Sequence, residues 1–204
     1  IYTGQLFAGR TFGPLAIGGA PFMFRDFNHW KAFSTSPLFG ELAEGYRQKS
    51  GGHKVLAITY YGERHVTSNK AINKPEDMKG LKLRVPDAPL YIMYPKIAGA
   101  NATPMAFAEV FPALEIKALD GQENPLLHMY SNKMHEVQKH ISLTNHVYTP
   151  VALVASKKFW DTLSPADKEG IQKAATEAGA LQRKLLDDGN ADVIAKFKAA
   201  GVTV

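Results

Sequence analysis

The chain has no cysteine among its 204 residues. This absence excludes a disulfide scaffold, a thiolate zinc site, an iron–sulfur centre and a cysteine nucleophile. It does not identify a compartment, because proteins without cysteine are common in the cytosol and in the bacterial periplasm. Long hydrophobic runs are absent as well, and no stretch approaches the length of a membrane span. A chain of this size nevertheless buries a sizeable core without cross-links.

Runs of basic residues are also absent. Lysine and arginine number 24 against 19 acidic residues, which gives a formal net charge of +5. The densest basic stretches are only Lys157-Lys158 and the segment that holds Lys79, Lys82 and Arg84. Nucleic-acid-binding proteins concentrate such charge on one face or in runs, so the sequence predicts no nucleic-acid partner. The scattered positive charge suits attraction of small anions.

The short motifs of common enzyme and cofactor sites are missing. The sequence has neither GxGxxG nor GxxxxGK[ST], which argues against dinucleotide and P-loop binding. It has no HExxH zinc motif and no GxSxG nucleophile elbow. His128 and His135 share a face of one expected helix and His140 follows at its end, but no third metal ligand is apparent. The sequence therefore predicts no cofactor, no metal site and no catalytic residue.

Strand and helix patterns alternate along the chain, which indicates an α/β protein. Helices are expected near 28–50, over 88–98, from Thr103-Pro104, near 125–139, and from the capping box Ser164-Pro165-Ala166-Asp167. Pro112 predicts a kink in the helix that starts at Thr103. Strands are expected at 54–61, 81–85, 118–121, 141–143 and 152–155.

Two arginines stand at strand ends. Arg84 ends an otherwise apolar strand just before Pro86, and Arg64 follows the strand 54–61. In open α/β sheets ligands bind beyond the carboxyl ends of the strands, and the guanidinium fork matches a carboxylate. Two alternatives stay open at this point: Arg84 as a surface residue paired with Asp87, and Arg64 as an exposed loop residue.

Two polar or small-residue segments are further candidates. The segment 120–125 (DGQENP) is either a plain turn or a turn that presents an amide to a carboxylate and a hydroxyl. The loop 99–104 (GANATP) feeds the expected helix N-terminus at Thr103, which is a natural place for an anion.

Five strings stand out in their order and spacing: TSNK at 67–70, DMKGLKLRVP at 77–86, TPMAFAEV at 103–110, DGQENP at 120–125 and TNH at 144–146. Together they resemble one family, the extracytoplasmic solute-binding subunits of TRAP transporters of the DctP type. The nearest relatives in this resemblance are the sialic-acid-binding members.

The resemblance implies a two-lobed, periplasmic binding protein-like α/β fold that closes on an organic acid. It places residues 1–61 and 150–189 in lobe I and residues 62–149 and 190–204 in lobe II. It also implies a fold that is incomplete at both ends, with the opening βαβ of lobe I missing before Ile1 and the closing helix of lobe II missing after Val204.

The resemblance also implies five ligand-binding residues. Arg84 falls on the arginine that forms the bidentate pair with the substrate carboxylate, and Arg64 falls on a second arginine common in binders of sugar acids. Phe107 falls on the pocket aromatic and Asn124 on the amide ligand. Asp87 occupies a polar pocket position that is Asn in the sialic-acid binders.

The departures from the sialic-acid members point to a different ligand. Gly4 and Phe7 stand where those members carry a Glu and an Arg, and Val151 stands near the position of their pocket Gln. A smaller acid is therefore expected: a uronate, an aldonate, a dicarboxylate, or another 2-hydroxy or keto acid. The expected partners are this small carboxylate and the TRAP membrane permease subunits, and the expected location is the periplasm.

Two other functions are weighed against transport. One is a ligand-sensing module of a signalling system with the same pocket and a different partner. The other is a small-molecule enzyme on the same scaffold, with His65 or His146 as base. The sequence offers no nucleophile–base pair, so the protein is predicted not to be an enzyme.

Overall fold

The computed structural model describes residues 2–4 and 10–204, so Phe7 lies outside the described residues. The strands are β1 (Tyr2–Thr3), β2 (Lys54–Ser68), β3 (Lys82–Val85), β4 (Asn101–Pro104), β5 (Gly121–Pro125) and β6 (His140–Ala155). The α-helices in this part of the chain are α1 (Phe27–Ser34), α2 (Pro37–Lys49), α3 (Pro89–Ile97), α4 (Val110–Glu115), α5 (Leu126–Ser131), α6 (Met134–Val137), α7 (Lys157–Trp160), α8 (Pro165–Asn190) and α9 (Val193–Ala199). Short 3-10 helices cover Gly13–Gly19, Pro75–Met78 and Phe107–Glu109.

The helix starts follow their capping residues. The Asp167 amide donates to the Ser164 hydroxyl oxygen at 3.1 Å, which confirms the predicted start of α8. Residues 28–50 form two helices instead of the single one expected, because the Ser36 hydroxyl accepts from the Phe39 amide and starts a second helix. A helix start within an apolar run is therefore decided by the cap more than by the spacing of apolar residues.

Two strands are longer than the sequence patterns predicted. β2 continues past the expected end at Tyr61 to Ser68, with Gly62 at a φ of +124°. A side chain at Gly62 would place its Cβ 2.7 Å from the Cβ of Pro125, so the strand passes this point only with glycine. β6 joins into one strand the two segments that were expected at 141–143 and 152–155.

The predicted helix start at Thr103 is wrong, because residues 101–104 form β4. Thr103 pairs with Arg84 and Pro104 with Val85 in a parallel ladder. Sheet pairing outweighs the local capping signal here, and the anion site expected at a helix N-terminus is not formed by this segment. The helix begins only at Val110, so Pro112 lies in its first turn, where a proline removes no intrahelical hydrogen bond.

The chain divides into two compact units, of which unit 1 comprises Ile1–Tyr61 and Tyr148–Asp187. In unit 1, β1 pairs antiparallel with β6 through Tyr2 and Ala152. α8 is held to the β2 segment of this unit by the Thr59 hydroxyl, which donates to the Gly179 carbonyl at 3.1 Å. Although α8 has 26 residues, no helix in the described part of the chain is both long and apolar enough to cross a membrane.

Unit 2 comprises Gly62–Val147 and Asp188–Val204 and contains the strands that carry the predicted site residues. β3 lies between β4 and β5 and is parallel to both, with Arg84 beside Gln122 of β5. β5 in turn pairs antiparallel with β2, which sets Arg64 opposite Pro125 and His65 opposite Asn124. Residues separated by tens of positions in the sequence are thus neighbours in one sheet.

Gly121 permits the close pairing of β5 with β2. A Cβ at this position would overlap the carbonyl oxygen of Thr67, which no side chain tolerates. The glycine lets the two backbones approach and so fixes the register that brings the polar residues of β5 toward Arg64.

Candidate functional site

A cluster of buried polar side chains occupies neighbouring strands of unit 2. Arg64 of β2 is 2% exposed, Arg84 of β3 is 3% exposed, and Glu123 and Asn124 of β5 are 1% and 4% exposed. Charged residues are almost never fully buried unless they are paired. The partners of each charge therefore decide what the cluster can do.

Arg64 is balanced by Glu123. The Arg64 Nη2 donates to Glu123 Oε1 at 2.8 Å, and Nε donates to Oε2. Nη2 also donates to the Asn124 side-chain oxygen at 3.0 Å. Burial by itself raises the pKa of Glu123, but the Arg64 guanidinium and the hydrogen bond from His146 outweigh it and hold the pKa below its usual value. Glu123 is therefore ionised at neutral pH, and the pair carries no net charge.

His146 is the second partner of Glu123. Its Nε2 lies 3.1 Å from Glu123 Oε2, and its Nδ1 lies 2.7 Å from the Thr144 hydroxyl. Because a carboxylate only accepts, the ring proton is on Nε2, and Nδ1 accepts from Thr144. Burial lowers the pKa of His146, against the opposing effect of Glu123, so the ring is neutral. It stacks on Tyr94 with the ring centroids 4.6 Å apart.

Arg84 has no such counter-charge. Its Nε and Nη2 both donate to the backbone carbonyl of Met105, at 3.0 and 2.7 Å. Within residues 2–4 and 10–204, no carboxylate lies within ion-pair distance of this guanidinium. Burial lowers the pKa of Arg84 to about 10, which still leaves it fully protonated at neutral pH. Arg84 is thus a buried cation without a carboxylate partner among the described residues, and the burial of such a charge is energetically unfavourable.

Two rings lie beside Arg84. The Arg84 Cζ is 5.8 Å from the centroid of the Phe107 ring, and Phe107 contacts the His128 ring at 4.6 Å between centroids. Burial, together with the positive charges of Arg64 and Arg84, lowers the pKa of His128 to about 4. His128 is therefore a neutral polar group near both arginines.

This geometry agrees with a family assignment. Residues 11–204 match the family described as bacterial extracellular solute-binding protein, family 7 (DctP). The chain belongs to this family. The prediction from the sequence strings is confirmed, and the family is one of solute-binding proteins.

Relatives in the DctP family cover most of the chain. It is 38% identical over 184 residues to the sialic acid-binding periplasmic protein SiaP of Vibrio cholerae, and 40% identical over 185 residues to the 2,3-diketo-L-gulonate-binding periplasmic protein YiaO of Escherichia coli. Each match covers 90% of this chain and 57% or 56% of the relative. The chain thus spans little more than half the length of these curated relatives.

A solved DctP-family structure shows the same fold. The TRAP periplasmic solute-binding protein of Polaromonas sp. JS666, bound to D-erythronate, superposes with a TM-score of 0.92 at 37% sequence identity. The match covers 99% of this chain and 66% of that protein. The predicted periplasmic binding protein-like α/β fold is confirmed by this similarity.

Four of the five ligand-binding residues predicted for this DctP-family chain belong to the cluster, whereas Asp87 is not in contact with it. Arg64 donates to Asn124, Arg84 lies beside the Phe107 ring, and, besides burial, the positive charge of Arg64 acts on Arg84 and lowers its pKa. Asp87 is exposed and makes no hydrogen bond or ion pair with the described residues. The alternative of Arg84 as a surface residue paired with Asp87 is therefore wrong.

Glu123, His146 and His128 also contact members of the cluster, and none of them is among the five ligand-binding residues predicted from the sequence. The sequence pattern places Glu123 in a polar turn, but β5 is buried at all five of its positions, and a fully buried polar strand carries no sequence signature of its own. His146 and His128 reach the cluster through the tertiary fold alone. Among the described residues, no group of three or more His, Asp or Glu is arranged to hold a metal ion.

The buried histidines predict a loss of stability in acid. Burial, with His146 and Arg64 nearby, lowers the pKa of His65 from 6.5 to about 3. The unfolded chain therefore binds a proton that the folded chain excludes between these two values. We expect the contribution of His65 to the free energy of unfolding to be complete above pH 6.5 and to decrease as the pH falls toward 3. His128 acts in the same direction between 6.5 and about 4.

Chemical denaturation at a series of pH values measures this effect. In a His65→Gln variant the free energy of unfolding should depend less steeply on pH between 6.5 and 3, whereas a His53→Gln variant on the loop before β2 serves as the matched control. An unchanged pH dependence in the His65 variant would contradict the prediction.

Proposed function

We propose that this protein is the extracytoplasmic solute-binding subunit of a TRAP transporter and that it captures an organic acid in the periplasm. The observation that carries the proposal is the buried Arg84 guanidinium, which has no carboxylate partner among the described residues. An arginine pairs with a ligand carboxylate through two parallel hydrogen bonds, which add orientation as well as energy. The ligand would then supply the missing counter-charge.

The other members of the cluster have separate roles in this proposal. Arg64 pairs with Glu123 and donates to Asn124. Both side chains would also offer hydrogen bonds to the hydroxyl or carbonyl groups of the ligand. Phe107 forms an apolar wall beside the Arg84 guanidinium. Asp87, two residues beyond the end of β3, would contribute an exposed polar group outside the cluster.

The named ligands of the relatives support an acid. Sialic acid, 2,3-diketo-L-gulonate and D-erythronate all carry a carboxylate next to carbon atoms that bear hydroxyl or keto oxygens. A uronate, an aldonate or a similar sugar acid is the class that fits this chain. Ligand binding would stabilise a closed arrangement of lobe I (1–61 and 150–189) and lobe II (62–149 and 190–204), which the TRAP permease subunits would recognise.

A thermal-shift screen of organic acids, followed by calorimetry, tests the proposal. A ligand present at 100 times its Kd stabilises the folded state by about 2.7 kcal/mol and raises the melting temperature. We expect sugar acids to give this shift, and neutral sugars of the same size to give none. A screen in which no acid raises the melting temperature would contradict the proposal.

Two further measurements separate the other functions. Ligand that is recovered unchanged after prolonged incubation argues against an enzyme, whereas conversion of the ligand would contradict the solute-binding role. Neighbouring genes for two membrane subunits support transport, and a neighbouring sensor kinase would instead indicate signalling.

A further inference from the structure

The charges of the unit 2 cluster sum to a single positive charge. Arg64 and Glu123 are joined by two side-chain hydrogen bonds and cancel each other. The His146 ring donates a hydrogen bond from Nε2 to Glu123 and accepts one from Thr144 at Nδ1, so the ring is neutral and adds no charge. What is left is Arg84, whose donors engage only the neutral carbonyl of Met105.

Neighbouring groups do not supply a second cation. His65 accepts the Asn145 amide proton on Nδ1 at 3.3 Å, which requires an unprotonated Nδ1 and hence a neutral ring. Asp87, three residues beyond Arg84, is exposed, so water screens its charge and it does not balance the buried guanidinium.

We infer that unit 2 selects acids with a single carboxylate, because the Glu123 side chain cancels the charge of Arg64 and leaves Arg84 as the one unbalanced cation of the cluster. The inference rests on the proposed function, since it concerns the same Arg84 site. It makes Glu123 a specificity-determining residue that acts through Arg64, and it narrows the expected class to aldonates, uronates and related monoanions. Dicarboxylates are excluded from this class of expected ligands.

The physical reason lies in the cost of an unpaired buried charge. A first carboxylate entering the cluster meets Arg84 and makes a neutral pair. A second carboxylate would meet a guanidinium already neutralised by Glu123 and would lose its hydration without gaining a counter-ion. An uncharged hydroxyl at the same place loses much less hydration free energy and still accepts a hydrogen bond from Arg64 or Asn124.

Matched pairs of acids test the inference on the unmodified protein. D-erythronate and meso-tartrate share one carbon skeleton and differ in the second carboxylate, as do galactonate and galactarate. By calorimetry at neutral pH, we expect the dicarboxylate of the tighter-binding pair to bind at least about tenfold more weakly than its monocarboxylate. Equal or tighter binding of the dicarboxylate overturns the inference and leaves the proposed function intact. If no acid in the wider screen binds, the proposed function itself is wrong.

Glu123→Gln tests the role assigned to Glu123. The amide keeps the shape of the side chain and can still accept from Arg64, but it removes the cancelling charge. The affinity for the dicarboxylate relative to the monocarboxylate should rise at least about tenfold in this variant, and it should stay unchanged in Glu115→Gln, an exposed control. An unchanged ratio in a folded Glu123→Gln protein overturns the inference. If this variant does not fold, the ratio measured on the unmodified protein decides.

Discussion

Replacing Arg84 with alanine is expected to abolish measurable binding of the organic acid. Truncating one partner of a buried, hydrogen-bonded charge pair costs about 2–5 kcal/mol, or about 30- to 4,000-fold in affinity. The effect belongs at the upper end, because no other unbalanced cation of the described cluster is available to the carboxylate. Arg84→Lys should weaken binding by about tenfold or more, since an ammonium keeps the charge but lacks the planar fork.

Lys82 provides the matched control for Arg84. It is a cation on the same strand, two residues earlier, but its side chain is exposed. Lys82→Ala should leave the affinity nearly unchanged at physiological salt, where screening over about 8 Å weakens the effect of an exposed charge. The affinities are measured by calorimetry, and the unfolding midpoint of each ligand-free variant verifies the fold. An Arg84→Ala protein that is folded and binds the acid with unchanged affinity would refute the carboxylate assignment.

Replacing Glu123 with alanine is expected to produce the largest loss of stability among the cluster residues. Removing one member of a buried ion pair costs about 3–5 kcal/mol, because the other charge stays buried without a partner. Here two groups lose a partner, since both Arg64 and the His146 ring donate to the Glu123 carboxylate. This loss is a large fraction of the total free energy of unfolding, which is about 5–15 kcal/mol for a typical domain.

A double-mutant cycle isolates this interaction from the simple loss of atoms. Arg64→Leu with Glu123→Leu removes both charges together and should cost several kcal/mol less than the sum of the two single changes. Glu115→Ala, at an exposed position, should change the free energy of unfolding by about 0.5 kcal/mol or less. Chemical denaturation provides all of these values. Additive single changes would show that the pair contributes no coupling energy and would contradict its assigned role.

The two predictions differ because the two arginines differ in their partners. Arg64 takes part in a balanced, buried pair within unit 2, and the loss of either partner is expected to destabilise this unit. Arg84 donates to a single neutral carbonyl, and in the proposed function the carboxylate of the ligand would balance its charge. Stability and binding would thus be divided between two residues of the same type in one cluster, which chemical denaturation and calorimetry can separate.

Local sequence patterns predicted elements whose signals lie within a few residues. The start of α8 at Ser164-Pro165 and the strand that carries Arg84 were expected and are present. The helix expected at Thr103-Pro104 is a strand, because pairing of this segment with β3 outweighs its capping signal. A cap depends on its own four residues, whereas a strand is stabilised by a partner that may be far away in the sequence.

The sequence by itself determined the family, the α/β class and the two arginines as candidate ligand-binding residues, because these depend on residue identity and on local order. The predicted place of Arg64 after a strand end is wrong, because β2 continues to Ser68. Only the tertiary structure decided which arginine is balanced. Glu123 is 59 residues from Arg64 in the sequence, and the pairing of β5 with β2 brings them to 2.8 Å. The effect of a charge depends on the distance to its partner and on burial. Both are set by strand register and packing, which no local pattern of residues encodes.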